Sequence, residues 1–219
     1  MIAMQLMDTA LDNMNHSVHK EDMATTIGRP LEFDPDTALE SAMQLFWSQG
    51  YEHTSMQDLL NAMNVSKSSL YQAFGSKQQL FRQCVSRYTD YLTGRLREGL
   101  AGAPTGRRFI EAFLYSVLGD LEGDAQRRGC LVMNTASEFA QHEAGIARDV
   151  ASSIERFRSV LQAAVERAQR EGEIPPERDA RQLANFLVSS MSGLKNQAKA
   201  GADAETLQGI IAVILKALD

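Results

Sequence analysis

The sequence predicts an all-α protein of about nine helices. Three observations support this fold class: the 219 residues include only five prolines, apolar residues recur at helical spacing, and no segment shows the sustained alternation of a strand. With 44% apolar and 23% charged residues, the composition is that of a globular protein, which excludes disorder throughout. No apolar run approaches the ~20 residues that span a bilayer, and acidic residues interrupt any secretory signal near the start. We therefore expect a cytoplasmic protein.

Apolar spacing and end signals define the first two predicted helices, of which the second is short. Helix one has the i, i+3, i+4, i+7, i+8 pattern of an amphipathic helix, and its apolar residues are Leu39, Ala42, Met43, Phe46 and Trp47. Gly50 is expected to end it, because glycine readily adopts the left-handed conformation at a helix C-terminus. Thr54 and Gln57 form the predicted capping box of helix two. Asn64 follows this helix and tolerates a left-handed turn.

The remaining helices follow in order along the chain. Ser66 is the predicted N-cap of helix three, and Gly75 ends it. Ser76 and Gln79 form a second capping box, which opens a long fourth helix reaching about residue 100. A stretch of Gly, Ala, Pro and Thr at residues 99–106 predicts a loop. Five more helices are predicted at about residues 106–122, 129–141, 143–171, 179–200 and 203–218.

Two short helices joined by a tight turn and held over a third make a helix-turn-helix, whose second short helix enters the DNA major groove. Residues 64–89 contain four basic and no acidic residues, so this segment is +4 in a chain with a net charge of -6. A local basic segment suits contact with DNA phosphates. Helix three needs few residues for its buried side, namely Val65, Leu70 and Phe74. Its other residues are available for phosphates and base edges: Lys67, Ser68, Ser69, Tyr71 and Gln72.

Four segments resemble the TetR family of one-component repressors in order and spacing. They are GRP at residues 28–30, AMQLF at 42–46, GYEHTS at 50–55 and VSKSSLYQAFGSKQQLF at 65–81. The resemblance implies an Ω-shaped all-α homodimer with an N-terminal DNA-binding domain and a C-terminal domain that binds an inducer and dimerises. Two positions depart from the commonest pattern: Ala73 stands where many members have His or Tyr, and Asn64 replaces a frequent Gly.

The resemblance also implies roles for individual residues in DNA binding. It implies phosphate contacts from Thr54 or Ser55, from Tyr71 and from Lys77, base reading by the start of helix three including Ser66, and a minor-groove contact by Arg29. We expect a helix-turn-helix domain at residues 29–81 and a larger ligand-binding and dimerisation domain at residues 82–219. Residues 1–28 are interpreted as a flexible arm or an over-long start, with Met23 as the hypothetical native start.

The two cysteines, Cys84 and Cys130, have no CxxC or CxxH spacing around them, which argues against a disulfide framework and a zinc site. The run RRGCLVMN at residues 127–134 resembles the sixth helix of a TetR subgroup that includes repressors sensing electrophiles and quinones through a cysteine. In that subgroup a lysine late in the eighth helix can lie near the cysteine, and GLKNQAK at residues 193–199 is similar. A thiol near cationic groups or a helix N-terminus reacts faster.

The alternative for Cys130 is a small buried apolar residue at the start of a helix, and Cys84 is interpreted as a packing residue. An apolar pocket with a few placed polar groups is the usual site for a small ligand. The residues predicted to sense a ligand or oxidant are Phe113, Val117, Cys130, Asn134, Asn196 and Lys199. We expect neither a metal nor a cofactor.

The last two helices are the predicted dimer interface, because the final helix is apolar on two sides. The residues assigned to it are Phe186, Ser190, Leu194, Leu207, Ile211 and Ile214. The sequence thus predicts a dimeric transcriptional repressor that binds a palindromic double-stranded DNA operator and is released by an apolar or electrophilic small molecule or by an oxidant. One alternative is a helical small-molecule-binding dimer without operator binding. A helical enzyme is disfavoured, because no catalytic motif is present.

Overall fold

The computed structural model describes residues 33–121, 128–139 and 143–219. These ranges form nine α-helices and one 3-10 helix and contain no strand, so the all-α prediction is confirmed. The helices are α1 (Pro35–Gln49), α2 (Met56–Met63), α3 (Lys67–Phe74), α4 (Lys77–Gly102), α5 (Gly106–Tyr115), the 3-10 helix (Ser116–Leu121), α6 (Leu131–Phe139), α7 (Ala144–Arg170), α8 (Ala180–Lys199) and α9 (Ala204–Lys216). No helix in this part of the chain is long and apolar enough to cross a membrane.

The described chain divides into two compact units, the first ending at Val85 and the second beginning at Ser86, within α4. Several sequence predictions fall on residues outside the described ranges. They are the arm at residues 1–28, the start at Met23 and the minor-groove contact by Arg29.

The first unit is built on one apolar core to which α1, α2, α3 and the start of α4 all contribute. Its fully or almost fully buried side chains are Ala42, Met43, Phe46, Leu59, Met63, Leu70, Phe74, Leu80, Phe81, Cys84 and Val85. Phe46 and Phe81 meet edge to face, with ring centroids 5.0 Å apart. Burial of one such side chain contributes roughly 1.5–3 kcal/mol. This shared core fixes the short helices, which are too short to be stable alone.

The ends of the short helices follow local rules, and most of them were predicted. Gly50 and Asn64 have positive φ angles of 81° and 51°, as their places after α1 and α2 require. Ser76 and Gln79 bond reciprocally at the start of α4, which confirms that capping box. At the start of α1 the side chain of Asp34 caps the helix ahead of a proline at the first helical position, a cap for which no prediction was made.

The capping box of α2 was predicted one residue too early. Ser55 and Asp58 form it, rather than Thr54 and Gln57. Thr54 is fully buried, and its hydroxyl donates to the carbonyl oxygen of Gly50 at 2.6 Å. A hydroxyl committed inside the core cannot also cap the helix, so the next residue does so.

In the second unit α7 packs against α5, α6 and α8, while α9 packs against α8 and α5. The hydroxyl of Thr89 donates to that of Ser153 at 2.9 Å, which ties α4 to α7 in the interior. The helix predicted at residues 106–122 changes to 3-10 geometry after Tyr115. At that point the Ser116 hydroxyl donates to the carbonyl oxygen of Phe113 at 2.7 Å, a local bond that competes with the regular helix.

Candidate functional site

Helix α3 has one apolar side and one polar side. Leu70 and Phe74 are buried, and Val65 just before the helix is half-buried, as predicted. On the other side Tyr71 is 46% exposed. The remaining exposed or half-exposed positions predicted to face DNA are Ser66, Lys67, Ser68, Ser69 and Gln72. The packing of α3 on its core therefore leaves a polar face free to contact phosphates and base edges in the major groove, which admits an α-helix.

The start of α3 is held by a cluster of three serine hydroxyls. Ser66 Oγ accepts from the amide of Ser69 at 3.1 Å, which makes Ser66 the N-cap as predicted. The same oxygen lies 2.9 Å from the hydroxyl of Ser68 and 2.8 Å from that of Ser69. These contacts order the side chains at the helix N-terminus, where backbone amides and the helix dipole favour an anion.

A phosphate contact was predicted for either Thr54 or Ser55. For Thr54 the prediction is wrong, because this residue is buried and hydrogen-bonded to Gly50 and therefore has a structural role. Ser55 is exposed, but its hydroxyl and amide donate to the Asp58 carboxylate at 2.6 Å and 2.9 Å. These bonds hold the pKa of the Asp58 carboxyl below its ordinary value. A phosphate contact by the Ser55 hydroxyl would have to replace its bond to Asp58.

Lys77, the first residue of α4, is half-buried, and its ammonium lies over an aromatic ring. Its Nζ is 4.1 Å from the ring centroid of Tyr51. Tyr51 in turn contacts Phe46 and Phe81, with centroids 5.9 Å and 5.0 Å away. The sequence reasoning singled out Lys77 but assigned no role to Tyr51.

Around Cys130 the structure brings together several predicted sensing residues. Cys130 is half-buried just before α6, and the hydroxyl of Tyr88 on α4 donates to its Sγ at 3.7 Å. Asn134 donates from its side-chain amide to the carbonyl oxygen of Arg128 at 2.7 Å. A Cβ added to Gly129 would lie 3.4 Å from Asn134 Oδ1 and 3.6 Å from the Cδ of Lys199. The Lys199 side chain therefore lies close to Gly129, the residue before Cys130.

The other predicted sensing residues lie in different surroundings. Phe113 and Val117 are buried, and Phe113 stacks on Phe109 with centroids 6.4 Å apart. Asn196 is exposed on α8. Cys84 belongs to the core of the first unit, where its thiol lies 3.8 Å from the carbonyl oxygen of Leu39.

Some of the predicted dimer residues lie in the core of the subunit, and the others lie at its surface. Four are buried within their own subunit and are corrected to core positions: Leu194, Leu207, Ile211 and Ile214. Phe186 is 38% exposed, and Ser190 is half-buried. Val213, which was not among the predicted dimer residues, is 71% exposed. The apolar stripe on α9 faces its own domain because α8 and α5 cover it.

Comparison with known proteins places this architecture in a family. Residues 38–84 match the family model described as bacterial regulatory proteins, tetR family, and residues 106–214 match the one described as the tetracyclin repressor-like C-terminal domain. The chain belongs to the TetR family. The two matches together span α1 to the start of α4 and α5 to α9.

Two named relatives align along most of the chain. The HTH-type transcriptional repressor ComR of Escherichia coli strain K12 is 31% identical over 190 residues, covering 86% of this chain and 90% of ComR. The uncharacterized HTH-type transcriptional regulator YezE of Bacillus subtilis strain 168 is 30% identical over 194 residues, covering 88% of this chain and all of YezE.

Two solved structures have the same fold. A triple cysteine mutant of the regulator CifR, complexed with 26-bp double-strand operator DNA, aligns with a TM-score of 0.76 and 33% identity over 88% of this chain and all of the CifR chain. The reduced form of E. coli NemR aligns with a TM-score of 0.75 over 82% of this chain and 93% of the NemR chain, and at 22% identity it shows the fold alone.

Proposed function

We propose that this TetR-family chain is a transcriptional repressor that binds a palindromic operator as a homodimer and acts in the cytoplasm. The observation that carries the proposal is the polar outer face of α3, held rigidly over the core of the first unit by Leu70 and Phe74. The relative ComR is named a transcriptional repressor, and CifR was solved with operator DNA. These likenesses support operator binding by this chain.

Within this proposal the contacts divide into two kinds. Tyr71 and Lys77 contact phosphates, which fixes the position of the protein on the duplex without reading sequence. Ser68 and Gln72 on α3 contact base edges, since hydroxyl and amide groups can donate to and accept from bases in the major groove. Exposed α8 and α9 positions, among them Phe186 and Val213, form the interface between subunits.

The test of operator binding is a gel shift of the purified full chain on DNA from upstream of its own gene at fixed salt. Specific binding, resistant to unlabelled random duplex and weakened by Gln72→Ala, supports the proposal. A folded dimer that binds a small molecule but shifts neither this DNA nor duplexes selected from a random library would establish the alternative, a ligand-binding dimer without operator binding.

We further propose that Cys130 is the sensing residue for an electrophile such as a quinone. Three features support this: the thiol is half-buried rather than sealed in the core, it accepts from Tyr88, and the Lys199 side chain lies against the preceding Gly129. CifR, which is 33% identical to this chain, was solved with its operator as a cysteine mutant. This likeness supports a functional role for a cysteine in this chain.

The chemical step is addition of the Cys130 thiolate to a ring carbon of the quinone. A carbon–sulfur bond forms, the electron pair of the attacked double bond moves to a carbonyl oxygen, and proton transfers give the thioether hydroquinone, so no external oxidant is needed. The added ring would displace the hydrogen bond from Tyr88 on α4. Release requires the adduct to favour the conformation that does not bind DNA. Changing the ratio of binding to non-binding conformations from 99:1 to 1:99 takes about 5.5 kcal/mol.

The sensing proposal is tested by adding p-benzoquinone to the DNA complex of wild type and of Cys130→Ser, with mass spectrometry to locate the adduct. Loss of binding in the wild type, resistance in Cys130→Ser and an adduct on Cys130 support it. Cys84, buried in the first unit, is the internal control and should remain unmodified. Retained binding by the wild type would overturn the sensing role, and the lack of any adduct on Cys130 would reduce it to a packing residue.

A further inference from the structure

Tyr51 and Lys77 form a contact outside the polar face of α3. Tyr51 lies in the connection between α1 and α2, and Lys77 is the first residue of α4. The ammonium nitrogen lies 4.1 Å from the centroid of the tyrosine ring. This distance is well inside the ~6 Å at which a cation is attracted to the face of an aromatic ring.

The ring under Lys77 cannot easily reorient. It stacks on Phe46 with an interplanar angle of 18° and packs against Phe81 at 59°. Both phenylalanines are 1% exposed and belong to the core of the first unit. Tyr51 is thus the most exposed of these three rings, and its face is a fixed platform for the lysine.

The platform holds the lysine without neutralising it. Among the described residues Lys77 has no ion pair with a carboxylate, so no acidic group competes with a phosphate for its charge. A flexible lysine loses rotamer freedom when a contact fixes it. A lysine already held over a ring has lost part of that freedom before DNA arrives, which favours binding.

We propose that Tyr51 is a positioning residue for DNA binding, holding Lys77 where it meets the phosphate backbone. This inference rests on the proposed operator binding and adds a residue to it. Because a phosphate contact carries no sequence information, the effect of Tyr51 should be the same on operator and on random duplex.

The test is a double-mutant cycle on the full chain with duplexes selected from a random library by the wild type. We expect Tyr51→Leu to weaken binding about two- to five-fold, the size of an exposed cation–π contact, and Tyr51→Phe to bind like the wild type because it keeps the ring face. In the Lys77→Ala background, Tyr51→Leu should have no further effect. Thermal unfolding of each variant shows whether the domain remains folded.

The outcomes separate the two proposals. Failure of the wild type to bind any duplex would overturn operator binding itself. If the wild type binds, equal weakening by Tyr51→Leu with and without Lys77 would show that Tyr51 acts only through the stability of the fold, and the positioning role would be wrong. Weakening by Tyr51→Phe as large as that by Tyr51→Leu would also overturn it, since the ring face would then not be what matters.

Discussion

Gly106 at the start of α5 lies directly against the backbone of Ala164 in α7. A Cβ on Gly106 would stand 2.4 Å from the carbonyl oxygen of Ala164 and 2.6 Å from the amide nitrogen of Ala168. Real Cβ atoms do not approach backbone this closely, and two packed helices cannot separate without losing contacts along their length. The close packing of α5 on α7 therefore depends on glycine at this position.

Replacing Gly106 with alanine should destabilise the second unit by about 1–3 kcal/mol, the usual cost of overpacking a close contact. Urea unfolding followed by circular dichroism measures this change. The control is Gly94→Ala within α4, where an added Cβ has nothing within 4 Å. Alanine there should leave stability unchanged or raise it by about 0.5–1 kcal/mol. Equal effects of the two substitutions would contradict the close approach.

Glu171, just after α7, makes the stability of the contact between α5 and α7 depend on pH. One carboxylate oxygen accepts from the Gly106 amide at 2.7 Å and the other from Arg167 at 2.8 Å. The Gly106 bond, followed by Arg167, holds the pKa of the Glu171 carboxyl below its ordinary value of 4.5. Because the folded pKa is the lower one, the stabilisation is fully present above pH 4.5 and is lost as the pH falls through the folded pKa.

We expect Glu171→Gln to be less stable than the wild type at pH 7, with a difference that shrinks as the pH falls below 4.5. Midpoints of urea unfolding between pH 7 and pH 3 measure the trend. Glu173→Gln, a substitution of an exposed carboxylate nearby, is the matched control and should show little difference at any pH. A difference for Glu171→Gln that stays constant across this range would show that ionisation plays no part.

Substitutions at two residues of α9 should have different effects, one on the stability of the subunit and the other on dimerisation. Ile211 is fully buried within its own subunit, and Val213 is 71% exposed. Ile211→Ala should cost about 2–5 kcal/mol in unfolding free energy. Val213→Lys should leave the subunit fold intact and weaken the dimer, because the charges of two subunits would face each other. Analytical ultracentrifugation measures association, and a Val213→Lys dimer as tight as the wild type would remove Val213 from the interface.

Lys77 and Gln72 should affect DNA binding in different ways. Lys77→Ala should weaken binding to all sequences about equally and lower the slope of log affinity against log salt by about 0.9, because one phosphate contact is lost. Gln72→Ala should leave the slope unchanged and alter sequence preference by about 1–3 kcal/mol at one base pair. Binding titrations at several salt concentrations on operator and mismatched duplexes distinguish them. An unchanged slope for Lys77→Ala would remove it from the phosphate contacts.

Features that depend on near neighbours were predictable. The turn at Asn64, the N-cap at Ser66 and the capping box of Ser76 and Gln79 involve residues within a few positions of one another, so composition and spacing carry the signal. The cap at Ser55 was misplaced by one residue because burial of Thr54, a tertiary property, decides which of two adjacent hydroxyls is free to act.

Contacts between segments that are distant along the chain could not be predicted from composition and spacing. Nothing in the order of residues joins Tyr51 to Lys77 or Tyr88 to Cys130, although both pairs lie at the candidate sites. Periodicity identified an apolar stripe on α9 but could not say which partner covers it. The predicted interface residue Ile211 is in the core, whereas Val213 is exposed.

The all-α class, the succession of helices, the helix-turn-helix and its basic segment follow from local propensity, capping and charge, and were therefore predictable from the residues alone. Long-range packing sets which hydroxyls are buried, which apolar side of α9 is covered and which aromatic ring holds Lys77. These features could not be predicted because burial is a property of neighbours in space. A side chain's role in binding or packing is settled only when those neighbours are in place.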